Sequence, residues 1–279
     1  MKQTITCIII TKNEELNIER SVQSAKKICD RVVVVDSGST DNTVVIAQAN
    51  GADVFVHEFI THGKQFNWAL ENTNIAADWI LRLDADEVIT DEAAQEILEL
   101  VEKHASDDVN GIILRFKVFF LGKFLKHGGI YPFLKLCVFK NQFGYVIEEP
   151  MRDQTVITSG RSVYCKKDCL HYDFKDMTSW ILKHNNYASL ETNNVLLNQK
   201  KDNEEDLIKS VRKTKKMRDN FYYKLPMFFR AKLYYLYILI FKFAFLDGRP
   251  GLIHAYLRTM WYRYLVDTKL YEQRIKDKK

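Results

Sequence analysis

Thr4-Ile5-Thr6-Cys7-Ile8-Ile9-Ile10, followed at once by Thr11-Lys12-Asn13-Glu14, opens the chain. The apolar run is short, rich in β-branched residues and nearly continuous. A strand with one wet face alternates apolar and polar residues; this one does not. It predicts a strand buried on both faces of a parallel sheet. The next segments repeat the theme. Glu14–Lys27 sets Leu16, Ile18, Val22 and Ala25 at helical spacing. Arg31–Val35 predicts a second buried strand, ended by Asp36-Ser37-Gly38-Ser39-Thr40-Asp41. Thr43–Ala49 predicts a helix, with Gly51 as its stop. Val54–Val56 predicts a third strand, Gln65–Glu71 a helix, and Trp79–Leu83 a fourth strand ending at Asp84. Strand and helix alternating at these intervals define an α/β domain with a largely parallel sheet.

Beyond Asp84, Thr90 or Asp91 caps a helix to about His104. Gly111–Phe119, Leu134–Phe139 and Val156–Thr158 predict strands, and Gly122–Tyr131 a loop containing Gly and Lys. From Asp176 the pattern turns helical and increasingly basic, and Asn198–Asp206 predicts a polar loop or hinge.

In parallel sheets, ligands bind outside the carboxyl ends of the strands. Three polar clusters fall there: Thr11–Glu14, Asp36–Asp41 and Asp84–Asp86. Asp84-Ala85-Asp86 places two carboxylates where a strand gives way to a loop. Both can reach one hard cation, Mg²⁺ or Mn²⁺, and leave room for phosphate oxygens. Such a cation neutralises the charge on a departing diphosphate. The plainer alternative is an acidic turn capping the next helix. Asp36 can accept hydrogen bonds from a base or ribose, and Ser37-Gly38-Ser39 lets backbone approach a ligand. Thr40-Asp41 reads as a helix cap.

Taken together, Ile8-Ile9-Ile10-Thr11-Lys12-Asn13-Glu14, Asp36-Ser37-Gly38-Ser39-Thr40-Asp41 and Leu83-Asp84-Ala85-Asp86-Glu87 resemble the family 2 glycosyltransferases. Within them the chain is similar to the small bacterial enzymes of lipopolysaccharide core synthesis. Gly63-Lys64-Gln65-Phe66-Asn67-Trp68-Ala69, Phe120-Leu121-Gly122-Lys123 and His127-Gly128-Gly129 extend the likeness, which runs from Thr4 to Phe174. The resemblance implies a nucleotide-diphosphosugar transferase fold of the GT-A type, with residues 1–175 as catalytic domain and 176–279 as a helical extension. It implies inverting transfer of a hexose from a UDP-sugar to a lipopolysaccharide core, another glycolipid or an oligosaccharide. It implies that Thr11, Asn13, Glu14, Asp36 and Ser37 hold the nucleoside, and that Lys64 and Asn67 lie near the donor. Asp84 and Asp86 then hold diphosphate and metal, with His171 completing the metal site. A capsule, teichoic-type polymer or protein acceptor fits the same fold, as does a catalytically silent nucleotide-sugar-binding partner.

Inverting transfer needs a carboxylate to take the acceptor's proton. Relatives carry it in a pattern like Val-His-Glu. The comparable stretch here is Glu148-Glu149-Pro150-Met151-Arg152-Asp153, and aligning Met151-Arg152-Asp153 makes Asp153 the base. Glu148 or Glu149 takes that role in another register, and an Arg152–Asp153 surface ion pair is the non-catalytic reading. Cys165, Cys169 and His171 lack the spacing and the fourth ligand of a zinc site. Lys123, Lys126 and Lys135 around His127-Gly128-Gly129 read as a basic, flexible segment facing an anionic acceptor.

The chain has 279 residues, 47% hydrophobic and 13% aromatic, which excludes disorder as the default. Its formal charge of +5 is uneven: Lys209–Lys279 holds 18 Lys/Arg against 5 Asp/Glu, net +13, so the preceding part carries −8. A basic tail implies a polyanionic partner. Phe221-Tyr222-Tyr223, Phe228-Phe229 and Leu233–Phe245, interrupted by Lys224, Arg230, Lys232 and Lys242, suit a helix lying in a membrane interface. A helical subdomain packed on the catalytic domain or on a second copy in a homo-oligomer is the alternative. Nucleic-acid binding leaves the apolar run unexplained. The longest such run, Leu233–Phe241, falls short of the about 20 residues of a spanning helix. Five cysteines, one in the buried first strand, and a first strand in place of a signal peptide lead us to expect a reduced, cytoplasmic setting, peripheral on the inner face of the cell membrane.

Overall fold

The computed structural model describes residues 2–148, 153–197 and 222–276. The expected loop at Asn198–Asp206, the basic residues from Lys209 up to Phe221, and Glu149, Met151 and Arg152 lie outside the described residues. The chain divides into two compact units: Met1–Phe119 with Pro132–Phe174, and Phe120–Tyr131 with Lys175–Lys279.

The first unit is built on the strand that opens the sequence. β1 (Ile5–Thr11) lies between β2 (Arg31–Asp36) and β4 (Trp79–Asp84), parallel to both, and β3 (Asp53–Val56) extends the sheet beyond β2. Successive side chains of a strand point to opposite faces. Ile5, Cys7 and Ile9 therefore join Val32, Val34, Leu81 and Leu83 on one side, over α1 (Ile18–Ala25) and α4 (Asp91–Lys103). Ile8 joins Val33, Val35 and Ile80 on the other, where Phe66 and Ala69 of α3 (His62–Asn72) pack. Two buried faces leave no place for polar alternation, which is why the run reads as continuous. Each fully buried Ile, Val or Leu contributes about 1.5–3 kcal/mol. α2 (Thr43–Ala49) takes the predicted span, and Gly51 after it has φ +79°. Thr90 caps α4, its hydroxyl accepting from the Ala93 amide.

Past β4 the sheet becomes mixed. β8 (Phe133–Lys140) inserts antiparallel between β4 and β6 (Val109–Phe120). β11 (Arg161–His171) then runs parallel to β6, and β5 (Glu87–Val88) closes on β11 antiparallel. β9 (Gly144–Val146) and β10 (Thr155–Ile157) form a separate ribbon. β5, β9 and β11 have no counterpart in the sequence reading. β7 (Lys123–Phe124) lies in the segment read as a loop.

The second unit is helical: α5 (Met177–Leu197), α6 (Phe229–Leu236), α7 (Gly248–Ala255) and α8 (Tyr262–Lys276). Ala188 of α5 packs on Tyr262, Val266 and Leu270 of α8. Two ionic knots lie beside this cluster. Arg230 pairs with Asp267, Nε to Oδ1 at 2.9 Å, and both are buried. Glu191 accepts from the Tyr223 and Tyr262 hydroxyls, each at 2.7 Å, and from Arg263. Among the described residues no helix is long and apolar enough to cross a membrane.

Candidate active site

Register brings the three polar clusters together. Thr11 is opposite Asp36, and Ile10 is opposite Asp84, so β1, β2 and β4 end at one level. The Thr11 hydroxyl is buried there with no hydrogen-bond partner. The Asp36 carboxylate accepts from the Gly38 and Ser39 amides at 2.9 and 2.8 Å and from the Ser39 hydroxyl. It therefore shapes its own loop, and Gly38, at φ +79°, supplies the turn. Asn13, at φ +55°, donates its amide to Ser39 Oγ and accepts from the Thr40 amide, each at 2.8 Å. The Glu14 amide donates to Thr43 Oγ1 at 2.7 Å. The two loops are thus sewn into one rim. Asp41, one residue before Asn42 at the N-cap of α2, accepts from the Thr43 amide and hydroxyl, so the expected cap at Thr40-Asp41 falls one to two residues ahead of the helix's own cap position. Buried Ser37 accepts from Gln65 Nε2 at 2.9 Å.

α3 supplies the next wall. Lys64 is exposed in its first turn. Asn67 is committed to structure: it donates to the Val146 carbonyl at 2.8 Å and Glu148 Oε1 at 2.9 Å, and accepts from the Val146 amide. Gly63 lets α3 approach this ribbon, since a Cβ would stand 2.1 Å from the Ile147 carbonyl oxygen.

Around Asp84 and Asp86 the charges alternate. Asp84 accepts from Lys135 Nζ at 2.6 Å, and Glu87 accepts from the same ammonium at 3.0 Å. Lys135 is therefore on β8 against the carboxylates, not in an acceptor-facing loop. Burial raises the Asp84 carboxyl, but Lys135 and Arg82 outweigh it and bring its pKa to about 2. Burial raises Glu87, and Asp84 beside it adds to the shift. Burial lowers the Lys135 ammonium, but Asp84 and Glu87 raise it further. Asp86 meets His171 instead, Oδ2 to Nε2 at 3.3 Å. The pairing of His171 with Glu87 across β11 and β5 places the ring there, and its Nδ1 is buried without a hydrogen bond. Burial lowers the His171 imidazolium, but Asp86, then Glu87 and Asp84, raise its pKa to about 9.

Asp86 Oδ2 and His171 Nε2, 3.3 Å apart, are a carboxylate oxygen and an imidazole nitrogen, donor types that Mg²⁺ or Mn²⁺ accepts beside phosphate oxygens. Among the described residues no group of three such ligands is gathered. Cys165 and Cys169 are buried in the apolar core, and burial raises the Cys165 thiol to about 12.

Arg82, not among the residues singled out from the sequence, stands between Asp84 and Asp153. It is buried on β4, two residues before Asp84. Its Nη2 meets Asp153 Oδ2 at 3.1 Å, its Nη1 donates to the Asp153 carbonyl, and its Nε stands 3.9 Å from Asp84 Oδ1. Its signal was visible as the one charge inside Trp79-Ile80-Leu81-Arg82-Leu83. Asp153, half-exposed, is thereby tied to β4 two residues before Asp84, whereas Glu148 is tied to α3 through Asn67. Arg20 of α1 closes the rim. It donates to the Tyr172 carbonyl at 2.9 Å and stacks 3.7 Å over Phe174.

The profile of glycosyl transferase family 2 matches residues 6–159. That is more than half of the chain and includes all three strand-end clusters, so the chain belongs to this family, and its fold is the mixed α/β, GT-A type. An uncharacterized glycosyltransferase of Rickettsia bellii is 45% identical over 97 residues, 35% of this chain and 32% of that protein. The match thus spans about a third of that relative. The lipopolysaccharide core biosynthesis glycosyltransferase LpsC of Rhizobium meliloti is 25% identical over 98% of this chain and 93% of its own. Among solved structures, glucosyl-3-phosphoglycerate synthase from Mycobacterium tuberculosis, in complex with Mn²⁺ and UDP, is 24% identical with a TM-score of 0.34, covering 43% of this chain and 45% of that one.

Proposed function

We propose that the chain is an inverting glycosyltransferase that moves a hexose from a UDP-sugar to a lipopolysaccharide core or related glycolipid at a membrane surface. One observation carries the reading: Arg82 links Asp153 to Asp84, while Asp86 faces His171 on the same strand-to-loop turn. On this reading Asp153, hydrogen-bonded to Arg82, is the proton acceptor, and Asp84, 3.9 Å from the same guanidinium, belongs to the leaving-group site. Full-length likeness to LpsC supports the glycolipid acceptor.

Thr11, Asn13, Glu14, Asp36 and Ser37 form the nucleoside rim, and Lys64 borders it. Asp86 and His171 hold a divalent cation, which supplies charge neutralisation for the diphosphate when bound. Asp84, kept ionised by Lys135 and Arg82, orients that end of the donor. The acceptor hydroxyl attacks the anomeric carbon from the face opposite the diphosphate. The carbon–oxygen bond to UDP breaks as the new one forms, the configuration inverts, and the hydroxyl proton passes to the Asp153 carboxylate. The first unit carries this chemistry, and the second meets the membrane.

Titration calorimetry tests the assignment. UDP with Mn²⁺ is expected to bind the native chain, and Asp86→Ala to abolish the metal-dependent part. Equal binding by the variant would overturn the metal role. Asp153→Asn is expected to keep UDP binding and lose transfer by about 100-fold or more. Full transfer by that variant assigns the proton to Glu148 or Glu149.

A further inference from the structure

The segment between α6 and α7 inverts the usual order of packing. Its buried apolar residues are small: Ala244 and, on α7, Ala255 and Gly251, with Ile238 as the one large side chain among them. A Cβ on Gly251 would lie 2.5 Å from the Ala244 carbonyl oxygen, so the backbone is drawn in close. The large apolar side chains point outward instead. Phe241 is 67% exposed, Leu246 57%, Phe243 and Ile240 52%, and Leu236 and Phe245 47%. Phe243 has φ +56° and ψ +34°, a left-handed conformation that bulky residues rarely adopt. Such strain is kept where the surroundings over-determine it, commonly at sites that bind. Six large apolar groups within eleven residues exceed the scatter of single exposed hydrophobics on an ordinary surface.

The charges around this lip have one sign. Between Tyr222 and Trp261 the sole acid is Asp247. It is buried and faces His127, accepting from its amide and ring Nδ1, each at 2.8 Å. Arg230 is likewise neutralised by Asp267. Lys224, Lys232, Lys242 and Arg249 stay exposed. Lys242 also accepts the Gly128 amide on its carbonyl at 2.7 Å. With His127 held by Asp247, this fastens residues 127–128 to the lip, and Lys123 and Lys126 are exposed on the same segment.

We propose that Leu236–Leu246 is a membrane-docking lip that seats its phenylalanines and leucines at the acyl boundary of an anionic bilayer, with Lys232, Lys242 and Arg249 at the phosphate level. The inference rests on the membrane part of the function proposed above and names the element and the lipid chemistry. Aromatic and aliphatic groups enter the headgroup region to ~5–10 Å without spanning it. The surrounding cations gain from anionic headgroups and nothing from zwitterionic ones. A second copy of the chain is a poorer occupant. An isologous dimer sets a patch against itself, so the cations Lys232, Lys242 and Arg249 of one copy would be brought against the same set of cations on the other.

Co-sedimentation of the full chain with vesicles tests this. Vesicles with roughly one-third phosphatidylglycerol in phosphatidylcholine are expected to pellet the native chain, and pure phosphatidylcholine to pellet several-fold less. Phe241→Ser with Leu246→Ser is expected to lower partitioning by about tenfold or more. Lys242→Glu with Arg249→Glu should remove the preference for anionic lipid while leaving the apolar groups in place. UDP binding by each variant reports that the first unit is intact and reads the transfer proposal separately. Absence of native binding to anionic vesicles overturns the inference, even where UDP binds. So does unchanged partitioning of the Phe241→Ser/Leu246→Ser variant, or a native dimer in light scattering that this variant dissolves without any vesicle binding.

Discussion

Arg82 is a cation at the centre of an apolar strand, and such a position is costly unless the charge is answered. Asp153 and Asp84 answer it, and the Phe66 ring lies 5.7 Å from the guanidinium carbon. The geometry makes Arg82 a positioning residue for Asp153, since it holds both that residue's carboxylate and its carbonyl. Arg82→Lys keeps the charge but loses the planar fork that can reach two partners at once. It is expected to lower kcat about tenfold or more while KM for the donor changes less than about threefold. Steady-state kinetics with varied UDP-sugar checks the split. A raised KM with kcat unchanged would place Arg82 on the donor side instead.

At the scale of the element, β11 shows what long-range chemistry hides. Arg161–His171 lacks an alternating pattern because Lys166, Lys167 and Asp168 interrupt it, and the strand is irregular between Tyr164 and Asp168. Glu96, from α4, answers the freed amides: it accepts from Lys166 at 2.9 Å and Lys167 at 2.8 Å, and from the Cys165 thiol. No local signal marks a strand whose irregular part is completed 70 residues away. β1, β2, β4 and α2 were legible because continuous burial and helical spacing are local properties. The strand-end clusters were legible for the same reason, as parallel register places them together by construction. Arg82 was not assigned and Lys135 was assigned to the acceptor-facing segment, because the partners of the first lie in the segment before β10 and those of the second on β4 and β5. Burial raises the Glu96 carboxyl, but the two amides and the thiol outweigh it and hold its pKa below the ordinary range. A depressed folded-state pKa contributes stability above the unfolded value, about 4.3, and that stability is lost as pH falls through the folded value. Glu96→Gln is therefore expected to lose about 1–2 kcal/mol at pH 7 and to flatten the acid limb of stability below about pH 4.3. Urea melts across pH measure both. A variant that matches the native chain at every pH would show that the bulge needs no carboxylate.

For the molecule as a whole, the two units rest on different physics. The first buries a continuous β-branched core on both faces of its sheet. The second turns many of its large apolar groups outward, and the cluster under its lip consists of Ile238, Ala244 and Ala255. Beside the apolar cluster of α5 and α8, the polar knots also hold its order. Arg230 and Asp267 are 3% and 1% exposed, and Asp267 also accepts the amide of Phe228, a residue at φ +66°. One carboxylate therefore fixes both the buried cation and the strained start of α6. Replacing one partner of a buried pair leaves an unanswered charge and costs about 3–5 kcal/mol. Asp267→Asn keeps the shape and removes the charge. For a unit of this size, it is expected to lower the melting midpoint by roughly 10 °C or more. Hydrogen exchange read by mass spectrometry localises the effect. Peptides from α6 and α8 should lose protection, while those from β1 and β4 keep it and UDP binding persists. Uniform loss across both units would instead mean that they unfold together. Unchanged protection in α6 and α8 would mean that packing alone holds the second unit.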